Sequence, residues 1–201
     1  MTSNPFADSL VRKSERALRI ARLSLQNGDP DSAVNRAYYA MFNAVRAALL
    51  NSGVPEGELP RTHRGINDAF RQHAVLPGRI DSELASALSR AENLRLRADY
   101  TATEIEPEAA VLVVREAEKF VHTVAREFGL SATETRVETS RLSPEEERRQ
   151  ARENWLRFRQ QEVEHAKDAA NEPTVDTGKG ARPSTSSPQL DEGYGLSDDQ
   201  E

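Results

Sequence analysis

Apolar residues recur at the three- and four-residue spacing of an α-helix in five successive segments between residues 4 and 129. Two of these segments begin with a capping residue followed by proline, at Asn4 and Asp29, and the last segment ends at Gly129. No stretch of convincing length in this region shows the two-residue alternation of a β-strand. The first two segments are joined by only a few residues, which makes the helices antiparallel neighbours. We therefore predict an all-α fold, an up-and-down helical bundle of about five helices.

The composition changes after the predicted bundle. A capping box, Ser143-Pro144-Glu145-Glu146, predicts the start of a charged helix that projects from the bundle. Its short aromatic patch around Trp155 is expected to dock on the bundle or on a partner. The last thirty or so residues contain Gly, Pro, Ser, Thr and acidic residues, which predicts disorder. The chain thus divides into a helical bundle, a linker, a charged helix and a disordered acidic tail, at residues 4–129, 130–142, 143–170 and 171–201.

The residue counts exclude several classes of protein. The chain has no cysteine, which excludes a disulfide scaffold or a thiolate zinc site and favours the reducing cytoplasm. No segment approaches the ~18 apolar residues that a membrane span needs, so we expect no contact with a membrane. Its four histidines lack the spacing of metal ligands, and no carboxylate cluster compensates, so we predict neither a metal nor a cofactor.

The distribution of charge bears on nucleic-acid binding. The net charge of −6 comes entirely from residues 131–201, because residues 1–130 contain 17 acidic and 17 basic residues. A neutral bundle lacks the overall basic field typical of a protein that binds duplex DNA. A local basic face could still bind single-stranded nucleic acid, so the charge neither establishes nor excludes RNA.

A polar stripe lies beside the apolar face of the second predicted helix. It recurs at helical spacing and contains two arginines, a tyrosine and an asparagine: Arg36, Tyr39, Asn43 and Arg46. A solvated helix face is the simplest interpretation of such a stripe. Because tyrosine and arginine are enriched at interfaces, a binding surface for RNA or for a partner is the alternative.

The third predicted helix begins with a basic run, Arg61-Thr62-His63-Arg64. Thr62 can cap this helix, and the exposed amides and positive dipole end of a helix N-terminus attract anions. Arg61 and Arg64 would add to that attraction, and the same environment favours the neutral form of the His63 imidazole. The run is therefore a candidate site for an anionic ligand.

The fourth predicted helix carries a charged residue in its apolar row. Arg95 continues the spacing of Leu84, Leu88 and Ala91, and Asp99 follows one turn later. The two side chains can form a local ion pair that points at the bundle rather than at water. An inward ion pair is costly unless it is fully hydrogen-bonded, which is why such pairs often mark functional sites. A purely structural clamp at the end of the helix is the alternative.

Three sequence blocks together resemble a prokaryotic branch of the HEPN family, over roughly residues 8–128. In order, they are Ser32-Ala33-Val34-Asn35-Arg36-Ala37-Tyr38-Tyr39-Ala40-Met41-Phe42, Thr62-His63-Arg64-Gly65, and Leu94-Arg95-Leu96-Arg97-Ala98-Asp99-Tyr100. The resemblance implies an all-α bundle that usually forms a homodimer, in a family rich in metal-independent ribonucleases. Many members resemble toxins paired with a nucleotidyltransferase antitoxin, and others act in RNA-based defence.

Active members of the family carry an arginine followed, after four to six residues, by a histidine. Such a pair provides a base for the 2′-hydroxyl proton and a cation for the charge that builds on the phosphorane. In this sequence Arg95 is followed by Asp99 and Tyr100, without a histidine at the expected distance.

Three functional hypotheses remain open at this point. The first is a metal-independent endoribonuclease or toxin component, in which Arg95 and Arg36 hold the scissile phosphate and His63 or Asp99 takes the proton. The second is an inactive HEPN module that binds RNA, a nucleotide or a partner protein on the polar stripe and Tyr100. The third is an interaction protein that works mainly through its C-terminal helix.

Overall fold

A computed structural model describes residues 4–130 and 142–171, with side chains up to residue 167. The described residues form six α-helices and no β-strand, which confirms the predicted all-α bundle with an additional C-terminal helix. The predicted linker and tail lie, apart from their end residues, outside the described part of the chain. The helices are α1 Pro5–Gln26, α2 Pro30–Asn51, α3 His63–Phe70, α4 Ser82–Tyr100, α5 Pro107–Glu127 and α6 Pro144–Asn171.

Side-chain caps define where the helices begin. The Asn4 side chain accepts hydrogen bonds from the backbone amides at the start of α1. The Asp29 carboxylate accepts from Ser32 N at 2.9 Å. Thr62 Oγ1 accepts from Gly65 N at 3.1 Å at the start of α3. Each cap satisfies an amide that has no partner inside its helix, so the predicted start signals act through the expected hydrogen bonds.

Helix α2 is the central helix of the bundle. It packs against α1, α3, α4 and α5, and its six fully buried alanines allow the neighbouring helices to approach closely. Ser14 on α1 donates a buried hydrogen bond from Oγ to the backbone oxygen of Ala40, at 2.7 Å. The largest buried side chains include Tyr38, Met41 and Phe120. Residues on α2 are therefore both part of the core and in reach of four other helices.

Helix α6 lies antiparallel along α5. Its capping box forms as predicted: Ser143 N donates to Glu146 Oε2, and Glu146 N donates to Ser143 Oγ, at 2.8 and 3.2 Å. Ion pairs then join α6 to the bundle, and their partners run in opposite directions along the two segments: Arg115–Glu147, Arg152–Glu106 and Arg159–Glu104. Beyond Arg159 the side chains up to residue 167 are exposed. The first half of α6 is thus docked, and the second half projects.

None of the helices in the described residues combines the length and the apolar character needed to cross a membrane.

Candidate functional site

The predicted ion pair on α4 forms and points into the bundle. Arg95 is 9% exposed, and its Nη1 donates to Asp99 Oδ2 at 2.7 Å. The other carboxylate oxygen, Oδ1, accepts from Asn35 Nδ2 on α2 at 2.9 Å. Because both carboxylate oxygens have donors, the charge of Asp99 is well compensated. The side chain of Asp99 is nevertheless 31% exposed, so solvent can reach the carboxylate.

Two tyrosines of α2 line the buried side of Arg95. The guanidinium carbon lies 5.2 Å from the ring centroid of Tyr38 and 6.0 Å from that of Tyr39. At these distances a cation is attracted to an aromatic face, which partly offsets the loss of water around the arginine. Arg95 Nε is buried and has no hydrogen-bond partner in the described residues. An unpaired buried donor is expensive, and such atoms often mark a functional site.

His63 joins the same cluster from α3. Its Nδ1 lies 2.6 Å from Tyr38 Oη, within hydrogen-bond distance. The imidazole centroid is 4.6 Å from the ring of Phe42 and 6.5 Å from the ring of Tyr39. The start of α3 therefore turns its histidine toward an aromatic wall on α2, and the ring is only partly exposed.

A hydrogen bond between α3 and α4 adds two more polar residues to the cluster. Asn67 Nδ2 donates to Glu92 Oε2 at 2.9 Å, while Asn67 Oδ1 is buried without a partner in the described residues. Burial raises the pKa of the Tyr38 phenol well above its usual value, and the negative charge of Glu92 raises it further, while Arg95 opposes the change. Tyr38 is therefore a neutral hydroxyl at any physiological pH.

We call this cluster the α2–α3–α4 centre: Asn35, Tyr38, Tyr39, His63, Asn67, Glu92, Arg95 and Asp99. Of the residues singled out in the sequence, it brings together Arg95, Asp99, His63 and Tyr39. Their proximity is observed, and their roles in catalysis or binding stay predictions.

The other predicted site residues do not contact the centre. Arg36, Arg61 and Arg64 are exposed, and Arg64 Nε lies 4.0 Å from Asp68 on its own helix. Tyr100, beside Asp99, is 79% exposed. Asn43 and Arg46 are partly exposed on α2 and make no hydrogen bond or ion pair with the described residues. Four of these exposed side chains lie within two residues of a member of the centre along the chain, and we call them the rim: Arg36, Arg61, Arg64 and Tyr100.

Sequence analysis missed half of the centre. Helical spacing alone places Tyr38 on the apolar face of α2, and it gives Asn35, Asn67 and Glu92 no role. One signal was available for Tyr38, because a buried tyrosine hydroxyl usually needs a partner. The amides and the glutamate gave no such signal, since isolated polar residues on a helix are usually solvated.

The described residues offer no metal site, because no three His, Asp or Glu side chains come together in them. A cleft of about 300 Å³ lies away from the centre, between α1, α5 and α6. Its charged walls are paired with each other, Arg22 with Glu118 and Arg115 with Glu147. None of the predicted site residues lines this cleft.

Comparison with known proteins gives a consistent result. The family model of the HEPN domain matches residues 7–128. A Methanocaldococcus jannaschii protein named "Putative toxin" is 31% identical over 118 residues, which cover 59% of this chain and 85% of the relative. A UPF0332 protein of Gloeobacter violaceus is 32% identical over 127 residues, 62% of this chain and 96% of the relative. A UPF0332 protein of Thermotoga maritima is 34% identical over 116 residues, 57% of this chain and 85% of the relative. Since the family model covers the whole bundle, from α1 to the end of α5, the chain belongs to the HEPN domain family.

Proposed function

We propose that this protein is the toxin component of a toxin–antitoxin or related RNA-targeting system and that it acts on RNA at the α2–α3–α4 centre. The observation that carries the proposal is the convergence of Arg95, Asp99 and His63 in one partly open cluster. Relatives whose names call them toxins support the biological setting. The homodimer and the nucleotidyltransferase-type antitoxin implied by the family resemblance belong to the same proposal.

The centre contains the groups that metal-independent RNA cleavage needs. In that reaction the 2′-hydroxyl oxygen attacks the adjacent phosphorus, the 2′-hydroxyl proton goes to a base, and the P–O5′ bond breaks as the 5′-oxygen takes up a proton from water. Arg95 supplies positive charge for the phosphorane, and the imidazole of His63 can supply a hydrogen-bond donor. Two groups are available to accept the 2′-hydroxyl proton, the carboxylate of Asp99 and the imidazole of His63.

The rim supplies plausible contacts for the rest of the substrate. Exposed arginines such as Arg36 can contact phosphates, and the ring of Tyr100 can stack on an unpaired base. A single strand, whose bases are free to stack, fits such a rim better than a duplex does. We therefore expect single-stranded RNA to be the substrate.

A second candidate function is RNA binding without turnover. It is favoured by one specific observation, that both oxygens of Asp99 already accept hydrogen bonds, from Asn35 and Arg95. Carboxylates in general are weaker bases near neutral pH than imidazoles, and active family members carry a histidine at this place. The two candidates share a binding site and differ only in whether the RNA is cut.

Incubation of the purified protein with end-labelled single-stranded RNA, in the presence of EDTA, separates these candidates. We expect cleavage that falls about 100-fold or more in Arg95→Gln and Asp99→Asn. His122→Gln is the matched control, because His122 is exposed on α5, a helix that contributes no residue to the centre. Binding that weakens steeply with salt, without cleavage, would support the second candidate. An absence of both binding and cleavage would overturn the proposal.

A further inference from the structure

The hydrogen bond between Tyr38 and His63 restricts where the imidazole can carry its hydrogen. Tyr38 is 0% exposed, and its Oη has one hydrogen-bond partner in the described residues, His63 Nδ1 at 2.6 Å. A neutral imidazole has one N–H, on either Nδ1 or Nε2. The distance alone is compatible with a hydrogen on either nitrogen. What distinguishes the two tautomers is whether the buried phenol O–H has an acceptor.

If Nδ1 carried the hydrogen, it would donate to Tyr38 Oη and leave the phenol O–H without an acceptor. A buried donor without an acceptor loses its hydration and gains nothing in return. If Nδ1 is bare, it accepts the phenol hydrogen, and both the buried phenol O–H and Nδ1 are satisfied. We infer that Tyr38 donates to Nδ1 and thereby keeps the hydrogen of neutral His63 on Nε2, so that His63 is a hydrogen-bond donor to a phosphate oxygen and not a base. Tyr38 is thus a positioning residue that acts through His63.

The charged neighbours of His63 agree with this arrangement. Helix α4 faces the Tyr38–His63 pair with Glu92 and Arg95, α2 adds the neutral Tyr39, and α3 itself carries Arg64 next to His63. Glu92 is engaged by Asn67 and Arg95 by Asp99, and neither has a hydrogen bond to Tyr38. Among the described residues His63 Nδ1 is therefore the one hydrogen-bond partner of the phenol.

The tautomer of His63 sharpens the proposed function. Its consequence for RNA cleavage rests on that proposed function, whereas the tautomer itself does not. With Nδ1 occupied and Nε2 protonated, neutral His63 has no free lone pair for the 2′-hydroxyl proton. Asp99 is then the remaining acceptor, since each carboxylate oxygen keeps a further lone-pair site after its bond to Asn35 or Arg95. His63 instead holds a non-bridging phosphate oxygen through Nε2–H.

Nitrogen NMR of the histidine side chains in the full chain, at about pH 8.5 where imidazoles are neutral, tests the tautomer directly. His63→Gln identifies the His63 signals among those of His73, His122 and His165. We expect a pyridine-type Nδ1 and a pyrrole-type Nε2 for His63. Tyr38→Phe should shift this pattern toward a mixture of tautomers, whereas Tyr39→Phe, the adjacent ring without a hydrogen bond to His63, should leave it unchanged. A pyrrole-type Nδ1 in the wild-type protein would overturn the inference, whether or not Tyr38→Phe folds.

An RNA-binding measurement separates this inference from the proposed function. An amide side chain can replace a hydrogen-bond donor but not a base. We therefore expect His63→Leu to bind RNA about tenfold to a hundredfold more weakly than the wild-type protein, and His63→Gln to keep most of the wild-type affinity. Equal losses in the two variants would contradict the donor role. If the wild-type protein binds no RNA while the spectrum is as expected, the proposed function fails and the tautomer stands.

Discussion

The α2–α3–α4 centre and the contact between α5 and α6 both use charged side chains, but in opposite ways. In the centre, Arg95 is nine-tenths buried, and its carboxylate partner has a second donor on another helix. In the middle of α6 the pairs of Arg152 and Arg159 remain substantially in water, with these two side chains 44% and 50% exposed. The same chemical pairing is therefore desolvated in one region and hydrated in the other.

This difference decides what each region can contribute. Exposed ion pairs add between nothing and about 1 kcal/mol each, so α6 is held mainly by the packing of a few side chains such as Ala151 and Trp155. A buried pair contributes little net stability when intact, but breaking it leaves an uncompensated charge in a dry environment. The centre is consequently intolerant of change, while α6 can be altered or displaced at small cost.

The strongest test of this contrast removes the carboxylate of Asp99. Asp99→Ala leaves the buried guanidinium of Arg95 without its partner, and we expect the free energy of unfolding to fall by about 2–3 kcal/mol in urea titrations. The matched change at α6 is Glu106→Ala, which removes the nearer of the two carboxylates that pair with the exposed Arg152 and should cost about 0.5 kcal/mol or less. Similar losses in the two variants would remove the distinction between the regions.

A second test uses the backbone contact between α6 and the turn that joins α1 to α2. Gly28 has φ +78°, and a Cβ there would lie 2.5 Å from the backbone oxygen of Asn154. Gly53 has a similar φ of +91° with open space around it, so Gly53→Ala has the backbone strain without the clash. We expect the free energy of α6 docking to fall by about 1–2 kcal/mol more in Gly28→Ala than in Gly53→Ala.

The readout for the two glycine variants is local. Trp155 is the one tryptophan of the chain, so its fluorescence reports the docking of α6. In Gly28→Ala the emission should move toward that of a hydrated indole, and amide exchange in α6 should accelerate while the amides of α2 stay protected. Equal behaviour of both variants would show that α6 does not rest on Gly28.

The smallest expected effect concerns the ion pairs of α6 themselves. The double variant Arg152→Gln/Arg159→Gln should weaken docking by about 1 kcal/mol or less. Adding about 1 M salt to the wild-type protein should reproduce most of that loss, because exposed pairs are screened, whereas the Arg95–Asp99 pair should respond less. A salt-insensitive α6 would indicate that its docking is entirely apolar.

Much of the fold could be predicted because it depends on local signals. Caps such as Asn4 and Thr62, and the capping box at Ser143, act within a few residues and need no tertiary information. The Arg95–Asp99 pair was predictable for the same reason, since its two members are one turn apart on a single helix.

The remainder of the centre depends on contacts between distant parts of the chain. Tyr38 and His63 are 25 residues apart, and Asn35 and Asp99 are 64 residues apart. Helical periodicity places Tyr38 on the inner face of α2 but does not say which helix stands opposite its hydroxyl. A pattern based on apolar spacing therefore classes a hydrogen-bonding tyrosine with the leucines and valines.

The dual place of Tyr38, in the core and in the centre, has a consequence for genetics. A screen that selects variants without activity will recover many substitutions in the middle of α2, and most of them will act by lowering the amount of folded protein. Only the small set of changes that spare abundance, at the imidazole and at the carboxylate, will be informative about chemistry. Protein levels must therefore be measured beside every phenotype.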